Sequence, residues 1–188
     1  MKTHSSSSFR RGFSLVEMLA VITILMILAA IVIAGTGFVK GKKARATAEV
    51  QVKLLSGALD QYKLDTGSYP PGGTGGQRDS KIVYRALYWD SDDNGAGADV
   101  DKDQKIYLSE LDPENNKQGW TDGKRAEVIL LDPWGNEYRY RSGKMNDGTA
   151  NPNAVNPDFD LWSAGPDGKT TDGDDTDVTK DDIRNWAH

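Results

Sequence analysis

Arg10-Arg11-Gly12-Phe13-Ser14-Leu15-Val16-Glu17 leads directly into the apolar run Met18 to Ala34. Four positions after Phe13 comes a carboxylate, Glu17, that stands at the mouth of that run. A charge at mid-helix in a bilayer costs roughly 2.5–3.5 kcal/mol on insertion scales, and less near the interface. Glu17 therefore needs a use. Thr23 is the one polar side chain between residues 18 and 34, and its hydroxyl is expected to bond back to a helix carbonyl. A helix from Phe13 to Val39 is about 40 Å long at 1.5 Å per residue, more than the ~30 Å hydrocarbon core of a bilayer. The leader carries Lys2, Arg10 and Arg11. Such a basic leader is expected to stay in the cytoplasm and to place the rest of the chain outside.

Three readings of this segment compete. One is a secretory signal peptide cut after the apolar run, but such h-regions are shorter and do not hold a carboxylate. The second is an uncut signal anchor. The third is a signal cut before the apolar run, between Gly12 and Phe13. The residues Gly12-Phe13-Ser14-Leu15-Val16-Glu17 resemble the processing motif of type IV pilins and of type II secretion pseudopilins. That resemblance implies a prepilin peptidase that removes residues 1–12 as a leader and methylates the amine of Phe13. Glycine at position 12 suits entry of the backbone into a tight protease site. Phe13 and Glu17 share one helical face. In a filament of identical subunits, Glu17 is expected to pair with the Phe13 amine of a neighbour, because a buried charge is tolerated when paired and costly when not.

Behind the segment 13–39, residues 40–188 leave room for one modest domain, the expected head of the protein. The chain has no cysteine, which excludes disulfides, thiolate metal sites and a catalytic thiol. For an exported head, a bound cation is the expected substitute for a covalent staple. The net charge is −5; removing the three positive charges of the leader takes it to −8. An acidic head argues against nucleic-acid binding. The two histidines, His4 and His188, sit at the chain ends, which argues against a histidine-based catalytic or zinc site.

Gly35-Thr36-Gly37 reads either as a soft point in the helix or as a kink at the bilayer exit. Lys40, Lys42, Lys43 and Arg45 follow, and sit awkwardly with the positive-inside rule. They read as a solvated or headgroup-touching turn, or as partners for the acidic head of another subunit. Ala48, Val52, Leu55, Leu59 and Tyr62 recur at spacings of three and four, the mark of an amphipathic helix facing a sheet. Gly67 is a good helix cap, and Tyr69-Pro70-Pro71 forbids continuation. One helix from Phe13 to about Thr66 results. The stretch Gly57 to Pro70 resembles the end of the long helix in the major pseudopilin of type II secretion, which narrows the resemblance beyond pilins in general.

Residues 72–126 read as a variable loop region, with a short helix at Lys81 to Trp89. Asp90-Ser91-Asp92-Asp93-Asn94-Gly95 and Asp99-Val100-Asp101-Lys102-Asp103 each fit part of an EF-hand loop. The first frame ends in Asp101 instead of glutamate. The second reaches Glu110 but has Gln104 where glycine belongs. A second cation site between Asp90 and Glu110 stands against a solvated acidic loop.

From residue 127 the pattern changes. Glu127 to Leu131, Glu137 to Arg141 and Phe159 to Ser163 read as three antiparallel strands, the first two joined by Asp132-Pro133-Trp134-Gly135-Asn136. Nine Asp and two Lys lie between Asp158 and Asp182. This self-repelling stretch reads as a disordered acidic tail or as oxygen ligands for calcium. A terminal Ile183-Arg184-Asn185-Trp186 that wants a packing partner favours the second. The run Phe159 to Gly168, with Asp181-Asp182-Ile183 and Asn185-Trp186, resembles the calcium loop of major pseudopilins, as does Asp132-Pro133-Trp134-Gly135.

Carried over by position, the resemblance implies one calcium ion held by Asp167 and Asp181, with Asp182 as a further ligand. Backbone carbonyls of Ala164 and Lys169 complete the set. Thr170 to Lys180 is longer than usual, and Asp172, Asp174, Asp175 or Asp177 is an alternative to Asp181. The fold implied is α+β and type IV pilin-like: a long N-terminal helix packed on a small antiparallel sheet, with a C-terminal calcium loop. The function implied is structural, the major pseudopilin that polymerises into a periplasmic fibre. The expected setting is a single-pass protein of the inner membrane with a periplasmic head. Its implied partners are copies of itself, minor pseudopilins, a membrane platform and a cytoplasmic ATPase. A type IV pilin or a minor pseudopilin is the alternative within the class. A membrane-anchored hydrolase or sugar-binding protein using the Asp- and Trp-rich tail is the alternative outside it.

Overall fold

The computed structural model describes residues 13–72, 80–89, 105–124, 127–145, 147–171 and 176–186, without the side chains of 32–39 and 176–177. The leader, the acidic motifs between 90 and 103, and Asp172, Asp174 and Asp175 lie outside the described residues. Two compact units divide the chain, Met1–Lys42 and Lys43–His188.

Helix α1 covers Leu15–Thr66, 52 residues, and its backbone stays helical through Gly35-Thr36-Gly37. It stops where the sequence says it must. Gly67 adopts φ +85°, its N–H bonds to the Lys63 carbonyl at 2.8 Å, and Pro70 and Pro71 follow. A left-handed residue at this position closes a helix, and glycine takes it without a Cβ penalty.

The second unit holds the core. Ala48, Val52, Leu55, Ala58, Leu59 and Tyr62 form the buried stripe of α1, which includes every position that the three-and-four spacing marks. They pack in one cluster with Val83, Tyr84, Leu87, Tyr138, Tyr140, Phe159, Leu161 and Ile183. The expected short helix is α2, Ser80–Tyr84, continued by a π-helical turn at Arg85–Trp89. The segment after the acidic motifs is less of a loop than its composition suggests. Tyr107 N–H bonds to the Leu87 carbonyl at 2.8 Å, Tyr107 meets Tyr62 edge-on at 5.6 Å, and Leu108, Leu111 and Trp120 are buried.

The strands are β1 (Thr121–Asp122), β2 (Ile129–Leu130), β3 (Arg139–Ser142), β4 (Phe159–Ser163) and β5 (Ile183–Arg184), with a single helical turn α3 (Thr176–Thr179) before β5. They form two small sheets, β1-β2 and β3-β4-β5, antiparallel throughout. This differs from the expected pairing. The strand near 127–131 pairs with Thr121–Asp122, and it reaches β3 only through the Leu131–Glu137 bridge and the Tyr138 N–H to Leu130 carbonyl bond at 2.9 Å. The third strand of the main sheet is Ile183–Arg184, from the tail. Asp132-Pro133 causes the change: the Asp132 side chain accepts from Trp134 N–H at 3.0 Å and Asn136 N–H at 2.9 Å, so the chain turns before a longer ladder can form.

Arg141 and Asp160 stand opposite each other on β3 and β4. Their charged groups are 3.8 Å apart, with side chains 3% and 1% exposed. Asp160 also accepts the N–H groups of Val155 and Asn156 at 2.9 and 2.8 Å, and Arg141 donates to the Asn153 carbonyl. A buried ion pair is better tolerated the more of its remaining lone pairs and protons are bonded. Here those bonds hold the long connection between β3 and β4 in place. Leu59 at the centre of the α1 stripe is 0% exposed. Leu59→Ala is expected to destabilise the second unit by about 2–5 kcal/mol, read by denaturant unfolding of the detergent-solubilised chain. A loss below about 1 kcal/mol would show that α1 is not the keel of this core.

Candidate functional site

At the N-terminal end, Phe13 precedes the helix and Glu17 lies in its first turn, where a carboxylate suits the positive end of the helix dipole. Thr23 bonds back to the Leu19 carbonyl at 2.8 Å. Large apolar side chains from Phe13 to Ile31 are exposed; Phe13 is 72% and Val16 73% exposed. Exposed apolar surface on this scale marks an association surface. Among the described residues no helix is long and apolar enough to cross a membrane. The apolar run of the sequence continues to Ala34, three residues past the last side chain described in that half.

The second site is built from three pieces of chain: the Asp132–Asn136 turn, the loop after β4, and the residues around β5. Asp132 is buried. Besides its two turn bonds, it accepts the hydroxyl of Ser163 at the end of β4. Ser163 Oγ in turn accepts the Gly165 N–H at 3.1 Å, and Asn136 Nδ2 donates to the Gly165 carbonyl at 2.8 Å. Gly165 must be glycine. Its φ is +65°, and a Cβ would meet the Asp181 carbonyl oxygen at 2.7 Å and Asp181 Oδ2 at 2.8 Å. The bare Cα lets the Asp181 carboxylate lie against Gly165.

The other acidic residues are placed differently. Asp167 is exposed, and its Oδ1 accepts the Lys169 N–H at 2.8 Å. Asp182 is buried. Its Oδ2 accepts from Thr170 Oγ1 at 2.8 Å and from Arg184 at 3.3 Å, and Thr170 Oγ1 accepts the Trp162 indole N–H at 3.1 Å. Burial pushes the Asp182 carboxyl above its ordinary range, against the pull of Thr170 and Arg184. Its Oδ1 is buried without a hydrogen-bond partner among the described residues. Arg45, from the basic patch, pairs with Glu49 at 3.4 Å and reaches the Asp181 carbonyl at 3.4 Å.

The fold thus brings Asp181 against Gly165 and leaves Asp167 exposed. Among the described residues no group of three or more carboxylate or histidine side chains is set to hold a metal. What fits a hard cation is the all-oxygen donor set, the close Asp181 carboxylate and the orphaned Asp182 oxygen.

Several residues that build the site carry no obvious signal in the sequence. Asn136 and Ser163 read as turn and strand residues. Thr170 reads as loop. Asn185 stands in a recognisable motif, yet its task emerges only in three dimensions: its Oδ1 accepts the Leu161 N–H at 2.8 Å and its Nδ2 donates to the Phe159 carbonyl at 2.9 Å. The side chain thereby continues the ladder of β4 past the end of β5, and Trp186 meets Trp162 edge-on at 5.7 Å.

Two family models match. The prokaryotic N-terminal methylation motif matches residues 7–33, and the type II secretion system protein G domain matches residues 102–186. A type II secretion system core protein G from Pseudomonas aeruginosa is 32% identical over 177 residues, covering 93% of this chain and 94% of the relative. The chain belongs to the type II secretion system core protein G family. Relatives of the same description from Escherichia coli and Dickeya chrysanthemi are 31% and 32% identical, covering 95% and 94% of this chain and 92% and 86% of those proteins. A crystal structure of the major pseudopilin of enterohaemorrhagic Escherichia coli aligns at TM-score 0.41 and 22% identity, covering 81% of this chain and 90% of that one. The match to protein G begins at residue 102, ahead of the Asp132-Pro133-Trp134-Gly135 motif of the C-terminal half, and takes in the buried Leu108, Leu111 and Trp120.

Asn185→Ala is expected to cost about 1–3 kcal/mol, because it strips the partners from two backbone groups of β4. Denaturant unfolding checks the loss, and an unchanged midpoint would mean that water replaces the side chain.

Proposed function

We propose that this chain is the major pseudopilin of a type II secretion system, a structural subunit that polymerises into a fibre in the periplasm. The observation that carries the reading is the full-length similarity to core protein G of several secretion systems, joined to a methylation motif over the apolar segment. In this reading a prepilin peptidase cuts between Gly12 and Phe13 and methylates the new amine. The apolar half of α1 then anchors the subunit once across the inner membrane, with the head in the periplasm. On assembly the exposed apolar surface from Phe13 to Ile31 is covered by other copies, and Glu17 pairs with a neighbour's Phe13 amine. Minor pseudopilins, a membrane platform and an assembly ATPase complete the machine that exports folded proteins. The role of the chain is structural, not catalytic.

The same reading includes one calcium ion in the loop of Asp167, Asp181 and Asp182, with the carbonyls of Ala164 and Lys169. Asp172, Asp174 and Asp175 are the further candidates, and Asp90 to Glu110 a second stretch of the same chemistry. A bound calcium supplies positive charge that offsets repulsion within the acidic loop. The chain's part is to bring the oxygens together, and the Asp181 carboxylate beside Gly165 and the unpartnered oxygen of Asp182 support it.

In cells that carry the secretion system, the mature protein is expected to begin at N-methylated Phe13 by mass spectrometry. Glu17→Ala is expected to insert and be cut normally yet to yield no fibre. Wild-type levels of fibre from Glu17→Ala would sink the register pairing, and an uncut leader would sink the assignment to this processing route.

A further inference from the structure

The main sheet has two outer edges, and the chain treats them differently. In an antiparallel pair, residues alternate between exchanging backbone bonds with the partner strand and pointing them outward. Along β3 and the residue before it, two outward N–H groups are taken: Tyr138 donates to the Leu130 carbonyl at 2.9 Å and Ser142 to the Gly72 carbonyl at 3.3 Å. On the outer strand of the small sheet, Asn116 Nδ2 donates to the Thr121 carbonyl at 2.6 Å. β5 has no such cover. Asn185 N–H bonds to the Leu161 carbonyl at 3.0 Å, and the register sets Ile183 opposite Ser163 and Arg184 opposite Trp162. The main-chain N–H and C=O of Arg184 therefore point away from β4. Among the described residues neither group has a bonding partner. An uncovered strand edge is a ready template for pairing with another chain.

That edge borders a groove of about 440 Å³ between β5 and one flank of α1. Val52 and Ile183, both buried, give the groove an apolar side. Gly57 stands in its wall, mid-helix and exposed. Glycine is a poor helix former, and no packing demands one here: a Cβ at this position would meet nothing within 4 Å. What the bare Cα does is keep the groove clear. The charges along it cancel, Glu49 and Asp60 against Lys53 and Arg184. Glu49 is held by Arg45, Asp60 by the Tyr69 hydroxyl and Arg184 by Asp182, so the groove does not select a charged ligand.

We propose that this groove docks an extended, uncharged segment of another protein, which adds to β5 as a further strand through the main chain of Arg184 and lies over Gly57. Strand addition of this kind draws affinity from main-chain bonds and specificity from alternate side chains. Pairing of β5 with the β5 of a second copy does not fit. It would turn one α1 end for end relative to the other, whereas subunits anchored in one membrane carry α1 in the same direction.

The test is nuclear magnetic resonance of the full chain in detergent, titrated to millimolar concentration with a short capped peptide of alternating threonine and valine, a strong strand former without charge. The same peptide with methylated backbone nitrogens is the control, since it keeps the side chains and loses the main-chain donors. The expected result is a shift of the Arg184 amide signal and slower exchange of that amide as the peptide is added. The methylated peptide is expected to bind about tenfold more weakly or worse, because the Arg184 carbonyl is then left unpaired. Gly57→Phe fills the groove and is expected to abolish binding while melting no lower than the wild type, since phenylalanine is the better helix former. No change at Arg184 overturns the proposal. So does equal binding of the methylated peptide, which marks an apolar hollow and not a strand edge, and so does a folded Gly57→Phe that binds like the wild type. Protection of the Arg184 amide that rises with protein concentration, without peptide, assigns the edge to a second copy and overturns it as well. The two peptides decide the matter on the wild type alone if Gly57→Phe fails to fold.

Discussion

The buried carboxylate of Asp132 is the constraint on which the head depends. An ionised carboxylate taken out of water costs several kcal/mol unless donors replace its hydration. Asp132 meets that demand with two backbone N–H groups of its own turn and the hydroxyl of Ser163. The first two bonds end β2 and launch β3 in a new direction, which is why the strands separate into two sheets. The third ties the end of β4 to that turn. The path of the chain after β4, and hence the meeting of Gly165 with Asp181, follows from satisfying one side chain.

The same device recurs twice. Asp160 collects Val155 and Asn156 N–H and faces Arg141 across the sheet. Asp182 collects Thr170 and Arg184. Each of these three aspartates pins irregular chain to a strand. In a protein without cysteine, buried carboxylates do at these points what disulfides do in many small exported domains. Composition alone suggests a cation in that role. The structure adds a set of bonds within the protein, complete around Asp132 and leaving one oxygen of Asp182 without a partner among the described residues.

What the sequence makes legible is what repeats locally. The inward face of α1 is visible because period 3.6 is written in five residues, and its end because Gly67 and Pro70 act on their own backbone. Phe159–Ser163 is visible as a compact apolar run before a glycine. The pairing of Ile183–Arg184 with β4 is not, because a two-residue strand has no period and owes its place to Asn185 and Trp186 acting across the sheet. Nor is the burial of Leu108, Leu111 and Trp120, which sit in polar surroundings and find the core only through long-range packing. The site shows the same division. Glycine and aspartate announce an acidic loop, whereas Ser163 and Asn136 become meaningful only when two distant turns are brought together.

The central claim is that Asp132 holds the β4 loop in place without help from an ion. Amide hydrogen exchange of the full chain in chelator, read residue by residue, tests it most directly. The expected result is that the amides of Trp134, Asn136 and Gly165 exchange about as slowly as the core amides of Tyr138 and Leu161. Exchange of those three as fast as the amides of the exposed residues Thr149 and Lys169, which bond only to the carboxylates of exposed turns, would contradict the account.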